Sequence, residues 1–327
     1  MRRSRRRRSA RDRLRPRLTK ELLDAPVHHS ARVVARAFLD VAVAERKKPP
    51  HAANALHDFR VSLRRLRSWL RAYRPWLPQV DRGRARRSLA TIARASNQAR
   101  DAEVGLEWLQ AQRGLPLHAR HQLQHLAGRL RHELHVATHM FQHRLARGFA
   151  PVVVALQKEL QSTADELVFS ARSNPRMRVV HTALLQSHAA DLGRALRRVR
   201  TIEHESFAHR ARIAGKRLRY LLEPLTGNTE ARRAVQRLAR MQDALGELHD
   251  ACVLGERLRF AHSVLAHRAM QRTTQAFQHV ARGWLGAGTD ELLAAIARVK
   301  CGPRTMGPVS SRRPRTAHAR TGAKRVP

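Results

Sequence analysis

Apolar residues recur with helical period along almost the whole stretch between residues 18 and 301, and strand-like alternation is nearly absent. The period predicts helices near 28–46, 53–74, 82–111, 116–147, 152–169, 177–199, 206–225, 229–260 and 262–299. Prolines such as Pro49, Pro50 and Pro151 mark predicted joints, and Gly286 and Gly288 are expected to interrupt the last helix. The pattern therefore predicts an all-α fold.

One combination of basic and apolar residues occurs twice. Residues 57–67 read HDFRVSLRRLR and residues 209–219 read HRARIAGKRLR, which is a separation of 152 positions. A weaker pair, 89–104 and 238–253, repeats in the same order at an offset of 149 and matches Asp101 with Asp250. Two repeats in the same order predict a duplication, with each half a helical bundle.

The basic residues of the first copy share one face of their predicted helix. Because an α-helix turns 100° per residue, positions three, seven and ten apart fall within an arc of about 80°. The resulting stripe consists of His57, Arg60, Arg64, Arg67 and, one turn further, Arg71. Apolar residues occupy the adjoining arc, and no Asp or Glu occurs in 59–75, whereas exposed helices usually mix both signs. We expect a groove lined by cations whose counter-charges come from a ligand.

Charge supports a polyanionic partner. Of the 327 residues, 65 are Lys or Arg and 25 are Asp or Glu, for a formal net charge of +40. Arg outnumbers Lys 58 to 7, which biased codon usage explains in part. Residues 1–19 and 302–327 are predicted to be disordered basic tails around a body at 20–301, with repeats near 20–170 and 171–301. Candidate partners are nucleic acid, an anionic membrane surface and inorganic polyphosphate.

Other features narrow the class of protein. Cys252 and Cys301 are too few for a disulfide framework or a zinc site. No apolar run approaches the roughly 18 residues of a membrane span, and no apolar segment follows the Arg-rich N-terminus as in a secretory signal. A soluble, cytoplasmic protein without a cofactor is expected. Aromatic residues make up 4% of the chain, which speaks against stacking of single-stranded bases.

Histidines raise two further questions. The predicted helix at 116–147 carries a stripe of His118, His121, His125, His132, His135, His139 and His143 opposite its leucines. The imidazoles are expected to point outward, and the alternatives are an exposed surface without function, metal-binding pairs four residues apart, or an anion-binding face that charges as pH falls. For His57 and His209 we favour contact with phosphate over a structural or metal-binding role, because neighbouring arginines repel a metal ion.

The paired motifs HDFRVSLRRLR and HRARIAGKRLRYLLE, each followed by a helix ending in RDAEV or ELHDACV, resemble the CHAD domain family. The resemblance covers about residues 20–300 and implies two pseudo-symmetric four-helix bundles with a basic cavity that binds inorganic polyphosphate. The resemblance also implies which residues bind the polyphosphate: His57, Arg60, Arg64, Arg65, Arg67, Arg100, His209, Arg212, Lys216, Arg217, Arg219 and Tyr220. Ser96 and Asn97 replace the Leu-Gly usual in the family, and His249 stands where the first half has Arg100, so Arg100 is the least secure assignment.

The resemblance leads to a specific functional hypothesis. The chain is expected to be a non-enzymatic polyphosphate-binding protein, associated with polyphosphate granules and with a polyphosphate-metabolising enzyme as a further partner. No Glu-x-Glu-x-Lys signature of the CYTH triphosphatase that accompanies some family members occurs. One alternative is a nucleic-acid-binding protein that uses its tails as non-specific contacts. Another is phosphotransfer through His57 or His209, which we disfavour because only Asp58 lies near the motif to bind Mg²⁺.

Overall fold

The computed structural model describes residues 16–48, 55–82, 84–161, 174–258 and 263–301. Within these ranges the chain forms α1 Lys20–Asp24, α2 Val27–Arg46, α3 Ala55–Ala72, α4 Pro78–Arg82, α5 Ala85–Ala111, α6 Leu117–Gln161, α7 Met177–Arg197, α8 Glu205–Leu222, α9 Thr229–Leu258, α10 Ser263–Trp284 and α11 Ala287–Ala297. Three short 3₁₀ helices, Arg74–Trp76, Ile202–His204 and Glu223–Leu225, join them. The described residues contain no β-strand, and the predicted all-α class is confirmed.

The helix boundary predicted at Pro151 is wrong, because α6 runs through this proline without a break. A proline inside a helix removes one backbone hydrogen bond and crowds the preceding turn, at a cost of about 3 kcal/mol. Phe149, Val152 and Leu156 are buried on either side of Pro151. Each such side chain contributes about 1.5–3 kcal/mol on burial, so the continuous apolar face outweighs the proline. The predicted end of this helical segment near residue 169 lies outside the described residues.

The interruption predicted near Gly286 is confirmed. α10 ends at Trp284, α11 begins at Ala287, and Gly286 between them has a φ of 55°. A residue without Cβ adopts this left-handed conformation at little steric cost. The Thr289 hydroxyl donates a hydrogen bond of 2.7 Å to the carbonyl oxygen of Trp284, which holds the two helices together across the turn.

The helices pack as two rings. In the first half, α2 contacts α3, α3 contacts α5, α5 contacts α6, and α6 returns to α2. In the second half, α7 contacts α8, α8 contacts α9, α9 contacts α10 and α11, and α11 returns to α7. The rings meet where α2 contacts α7, α3 contacts α8 and α5 contacts α9. This packing places the two helices that carry the basic stripes against each other; the duplication itself stays a prediction from the sequence register.

One hydrophobic core extends through both halves, and it contains Leu66 of α3 together with Leu218 of α8. A buried polar junction accompanies it. The indole of Trp69 donates a hydrogen bond of 3.0 Å to the carbonyl oxygen of Ala31, and the Tyr73 hydroxyl is hydrogen-bonded to Nδ1 of His181 in α7. Burial lowers the pKa of His181 to about 3, so this imidazole is neutral near pH 7. The core and the junction hold the two halves in a fixed relation.

The predicted tails fall largely outside the described residues. At the inner edge of the N-terminal one, Leu18 is buried and its backbone N–H donates a 3.0 Å hydrogen bond to the carbonyl oxygen of Pro224. Thr19 caps α1 by accepting a hydrogen bond from the N–H of Leu22. Ordered packing therefore begins before residue 19. Among the helices described, none is long and apolar enough to cross a membrane.

Candidate functional site

The basic stripes are positioned by the apolar residues beside them. Phe59, Leu63 and Leu66 of α3 are almost fully buried, as are Ala211 and Leu218 of α8. Burying these positions leaves the adjoining arc of each helix half-exposed, as the spacing in the sequence predicts. The cations of the two stripes therefore lie at the edge of the core, on the sides of α3 and α8 that line a shared space.

That space is a cavity of about 290 Å³, here called the central cleft. Its lining consists of Arg64, Arg67, Ser68 and Arg71 from α3, Arg86 and Ala90 from α5, and Ile213, Lys216, Arg217 and Tyr220 from α8. Six of these residues are cationic, and none of the lining residues described is acidic. Like charges gathered around one cavity repel one another, so the cleft is electrostatically suited to a polyanion.

The pKa of Lys216 shows how strong this positive field is. Burial lowers the pKa of its ammonium group, and Arg212, Arg64 and Arg219 lower it further, to about 7. Because Arg64 belongs to the first half and Lys216 to the second, their interaction shows that the two stripes share one field. The pKa values of Arg67 and Arg217 are also lowered, in both cases first by burial and then by Arg71. The ligand-free cleft is thus under electrostatic strain.

A second cluster continues from Lys216 along α8. Burial lowers the pKa of Arg212, and Arg64 adds to this effect while Asp250 and Asp101 oppose it. The Nε atoms of Arg60 and Arg212 are buried and have no hydrogen-bond partner among the described residues. Unpaired buried donors are costly in a folded protein, and charged ones most of all. Both arginines therefore add uncompensated donors to the positive field around Lys216, although Glu103 acts on Arg60 and Asp250 on Arg212.

The histidines of the two motifs lie within this positive field. Burial and Arg64 lower the pKa of His57, and burial and Arg212 lower that of His209. The ring of His209 lies 4.9 Å from that of His249, whose pKa falls to about 4 through burial and the charges of Arg212 and His209. The imidazole Nδ1 of His209 has no hydrogen-bond partner within the described part of the chain. Without a ligand, these histidines are neutral near pH 7.

Two predicted ligands face a carboxylate of the protein. The guanidinium of Arg65 donates hydrogen bonds of 2.5 and 3.3 Å to Glu223, and the Nε atom of Arg219 lies 3.7 Å from the same carboxylate. Burial alone would lower the pKa of Arg65, but the charge of Glu223 raises it. Glu223 is only 6% exposed. This arrangement ties α3 to the end of α8, so Arg65 and Arg219 are suited to positioning the stripes.

The predicted site residues thus separate into three groups. The central cleft is lined by Arg64, Arg67, Arg71, Lys216, Arg217 and Tyr220. The adjoining field contains His57, Arg60, His209 and Arg212. Intramolecular ion pairs engage Arg65, Arg219 and Arg100, the last through Glu103 at 3.1 Å and Glu107 at 3.8 Å. Ten of the thirteen predicted residues therefore line the cleft or lie in the adjoining field, and Arg219 and Arg100 act on the same field through Lys216 and His57.

Sequence reasoning missed three residues of this surface. Arg86 of α5 lines the cleft, but it precedes the repeated segment 89–104 and so carries no repeat signal. Asp101 and Asp250 were matched as repeats without a role, and both lie close enough to act on Arg212. Burial raises the pKa of each aspartate, and Arg212 counters this effect in Asp250. Asp58 is therefore not the only carboxylate near the motifs, contrary to expectation.

The histidine stripe of α6 lies apart from the cleft lining. All seven of its histidines are exposed, as expected: His118, His121, His125, His132, His135, His139 and His143. Leu130 and Phe141 of the same helix are buried on the opposite face. No group of three or more His, Cys, Asp or Glu residues suited to a metal ion occurs among the described residues. The choice between an inert surface, metal pairs and an anion-binding face stays open.

Replacing Lys216 by methionine should stabilise the ligand-free protein at pH 7, by about 1–2 °C or more in melting temperature. The ammonium has a pKa of about 7 in the folded chain and 10.5 as the ordinary value. Between pH 7 and pH 10.5 the unfolded chain therefore binds more protons than the folded chain. As a result, the free energy by which Lys216 destabilises the fold becomes smaller as pH rises. Thermal unfolding should therefore show a smaller difference in melting temperature between variant and wild type at pH 9 than at pH 7.

The exposed Lys158 of α6 provides the matched control. Lys158→Met removes the same charge without relieving a buried cation, so its melting temperature should follow that of the wild type at each pH. A Lys216→Met variant that melts below wild type at pH 7, or by a margin that does not change with pH, would contradict the electrostatic strain inferred for the cleft.

Comparisons with known proteins bear on this site. The CHAD domain family matches residues 34–259 of the chain. The crystal structure of the CHAD domain from the plant Ricinus communis superposes with a TM-score of 0.54 at 20% sequence identity, and the match covers 88% of this chain and 98% of that one. No curated protein sequence matches the chain. The structural likeness shows that the fold is shared.

Proposed function

Because the chain belongs to the CHAD domain family, we propose that it binds a linear inorganic polyphosphate in the central cleft and catalyses no reaction on it. One observation carries the proposal: six cations from α3, α5 and α8 converge on a cavity whose described lining contains no acid. A ligand that brings one negative charge per phosphate would satisfy them together.

The chemistry of the lining favours phosphate over other anions. Five of the six cations are arginines, whose planar guanidinium groups donate paired hydrogen bonds to non-bridging phosphate oxygens. Lys216 would act as a point charge and take up a proton when the polyanion binds, because an adjacent anion raises its pKa above 7. His57 and His209 would add hydrogen bonds where the ligand leaves the cleft.

The cleft is less suited to nucleic acid than to a bare phosphate chain. Tyr220 is the only aromatic residue among those described in its lining, and its side chain is 3% exposed, so it offers no platform for base stacking. In the cell, we expect the protein to occur with polyphosphate granules in the cytoplasm, near enzymes that make or degrade polyphosphate.

A competition titration tests this function. Long-chain polyphosphate should displace labelled polyphosphate from the full-length chain at physiological salt, and double-stranded DNA at the same phosphate concentration should not. By analogy with single-stranded nucleic acid, six cation–phosphate contacts give a slope of about −4 for log K against log salt concentration. A slope near zero, or preferential displacement by DNA, would refute binding in the central cleft.

A further inference from the structure

A second basic groove adjoins the central cleft on the side of α7. We call it the arginine groove; its lining consists of His188, Asp191, Arg194, Ala195, Arg197 and Arg198 around α7, and Phe207, Arg210, Ile213, Ala214 and Arg217 from α8. Ile213 and Arg217 also line the central cleft. The two cavities therefore meet on α8 at Ile213 and Arg217.

The groove keeps three cations without a carboxylate partner. Arg194 pairs with Asp191, and Arg197 donates a 3.0 Å hydrogen bond to Asp290. By contrast, Arg198, Arg210 and Arg217 form no ion pair with any residue that the structure describes. Carboxylates thus pair with two of the five arginines in the groove. The remaining three, which begin with Arg217 at the central cleft, are available to an anionic ligand.

Phe207 holds two of these cations beside each other. The Cζ atoms of Arg198 and Arg210 lie 4.5 and 4.4 Å from the centre of its ring, so the two guanidinium groups are at most about 9 Å apart. At such distances each guanidinium is attracted to the face of the ring by a cation–π interaction. Arg210 is further fixed by a 3.2 Å hydrogen bond from its Nε to the carbonyl oxygen of Ser206. Two like charges are thus preorganised on one aromatic ring.

We propose that the arginine groove is a second phosphate subsite, which holds the part of a long polyphosphate chain that extends from the central cleft past Arg217. The inference rests on the proposed function and adds to it a dependence on chain length. Arg210 lies two helical turns before Arg217, about 10 Å along α8. A short ligand bound in the cleft does not reach Arg198 and Arg210, whereas a long one contacts both subsites.

The test compares two ligand lengths, tripolyphosphate and long-chain polyphosphate, by calorimetric titration of the full-length protein. The double variant Arg198→Gln/Arg210→Gln should bind the long chain about five- to tenfold more weakly and tripolyphosphate almost unchanged, because two contacts from exposed arginines are lost. Its salt slope for the long chain should become shallower by about 1.4, which is 0.7 for each contact. Phe207→Leu should weaken long-chain binding about twofold and leave the salt slope unchanged, since no charge is removed.

Two controls make each result decisive. Arg129→Gln/Arg144→Gln removes the same charge from exposed positions of α6, outside both linings, and should weaken binding of either ligand less than twofold. Arg64→Gln, in the central cleft, should weaken both ligands. If Arg64→Gln weakens long-chain binding and the groove variant does not, or the groove variant weakens both lengths equally, the second subsite is refuted and the proposed function survives. If the wild type binds neither ligand, the proposed function fails, and the inference with it.

Discussion

Replacing Arg64, Arg67 and Lys216 by glutamine together should weaken the binding of long-chain polyphosphate by at least about 100-fold. Hydrogen bonds to charged groups contribute about 1.5–3 kcal/mol each, and three are lost from a cleft where the cations are largely shielded from water. The variant should also melt no lower than the wild type without ligand, because the substitutions relieve repulsion: beyond the effect of burial, Arg64 lowers the pKa of Lys216, and Arg71 lowers that of Arg67. Equilibrium titration and thermal unfolding of the same preparation check both expectations.

Arg129→Gln/Arg144→Gln/Arg147→Gln provides the comparison, since it removes three charges from exposed positions of α6. Those charges attract a polyanion only through the screened long-range field, so we expect a loss of less than about fivefold at physiological salt. Equal losses from the two triple variants would show diffuse attraction to a basic protein and would refute a specific cleft. A cleft variant that unfolds at a much lower temperature would show that the three cations have a structural role.

Replacing Glu223 by glutamine should lower the free energy of unfolding by about 3–5 kcal/mol. The carboxylate is 6% exposed, accepts two hydrogen bonds from Arg65 and lies 3.7 Å from the Nε atom of Arg219. Removing its charge leaves two poorly solvated guanidinium groups without a counter-ion at the contact between α3 and α8. Urea denaturation followed by circular dichroism measures the loss as a lower midpoint.

Glu230→Gln is the matched control for this substitution. Glu230 forms ion pairs of 3.1 Å with Arg233 and 3.9 Å with Arg298, whose side chains are 69% and 60% exposed, and pairs with such exposed partners contribute about 0–1 kcal/mol each. Added polyphosphate should recover part of the stability lost in Glu223→Gln, because its phosphates supply the missing counter-charge. A Glu223→Gln protein within 1 kcal/mol of the wild type would mean that Arg65 and Arg219 are solvated better than their burial indicates.

Local periodicity predicted the helices more closely than it predicted their ends. The segment expected at 28–46 is observed as Val27–Arg46, because its apolar face is continuous and Pro26 precedes it. The error at Pro151 came from giving a single residue more weight than the buried face on both sides of it. Whether a helix tolerates a proline depends on the apolar area buried around it, which the sequence alone does not reveal.

The site was predictable where its signal was periodic and obscure where it depended on partners distant in the sequence. The periodic spacing predicts that Arg64 and Arg67 share one helix face, and in the structure both line the same basic cavity. Arg65 belongs to the same motif, yet its partner Glu223 lies 158 residues away, and no local pattern identifies that pair. For Arg100 the information was local: Glu103 and Glu107 follow at three and seven residues, the spacing of ion pairs along one helix face.

The single core shared by the two halves has a consequence for how a ligand enters. Both walls of the central cleft are built on the same packed interior, and the buried contact between Tyr73, which directly follows α3, and His181 of α7 joins the two halves. Close-packed interiors do not yield gradually, so the separation of the walls is set before any phosphate arrives. Under the proposed function, a flexible polymer would therefore adapt to a binding site whose backbone is already fixed, and the entropy lost on association would come from the polymer and from the arginine side chains that contact it.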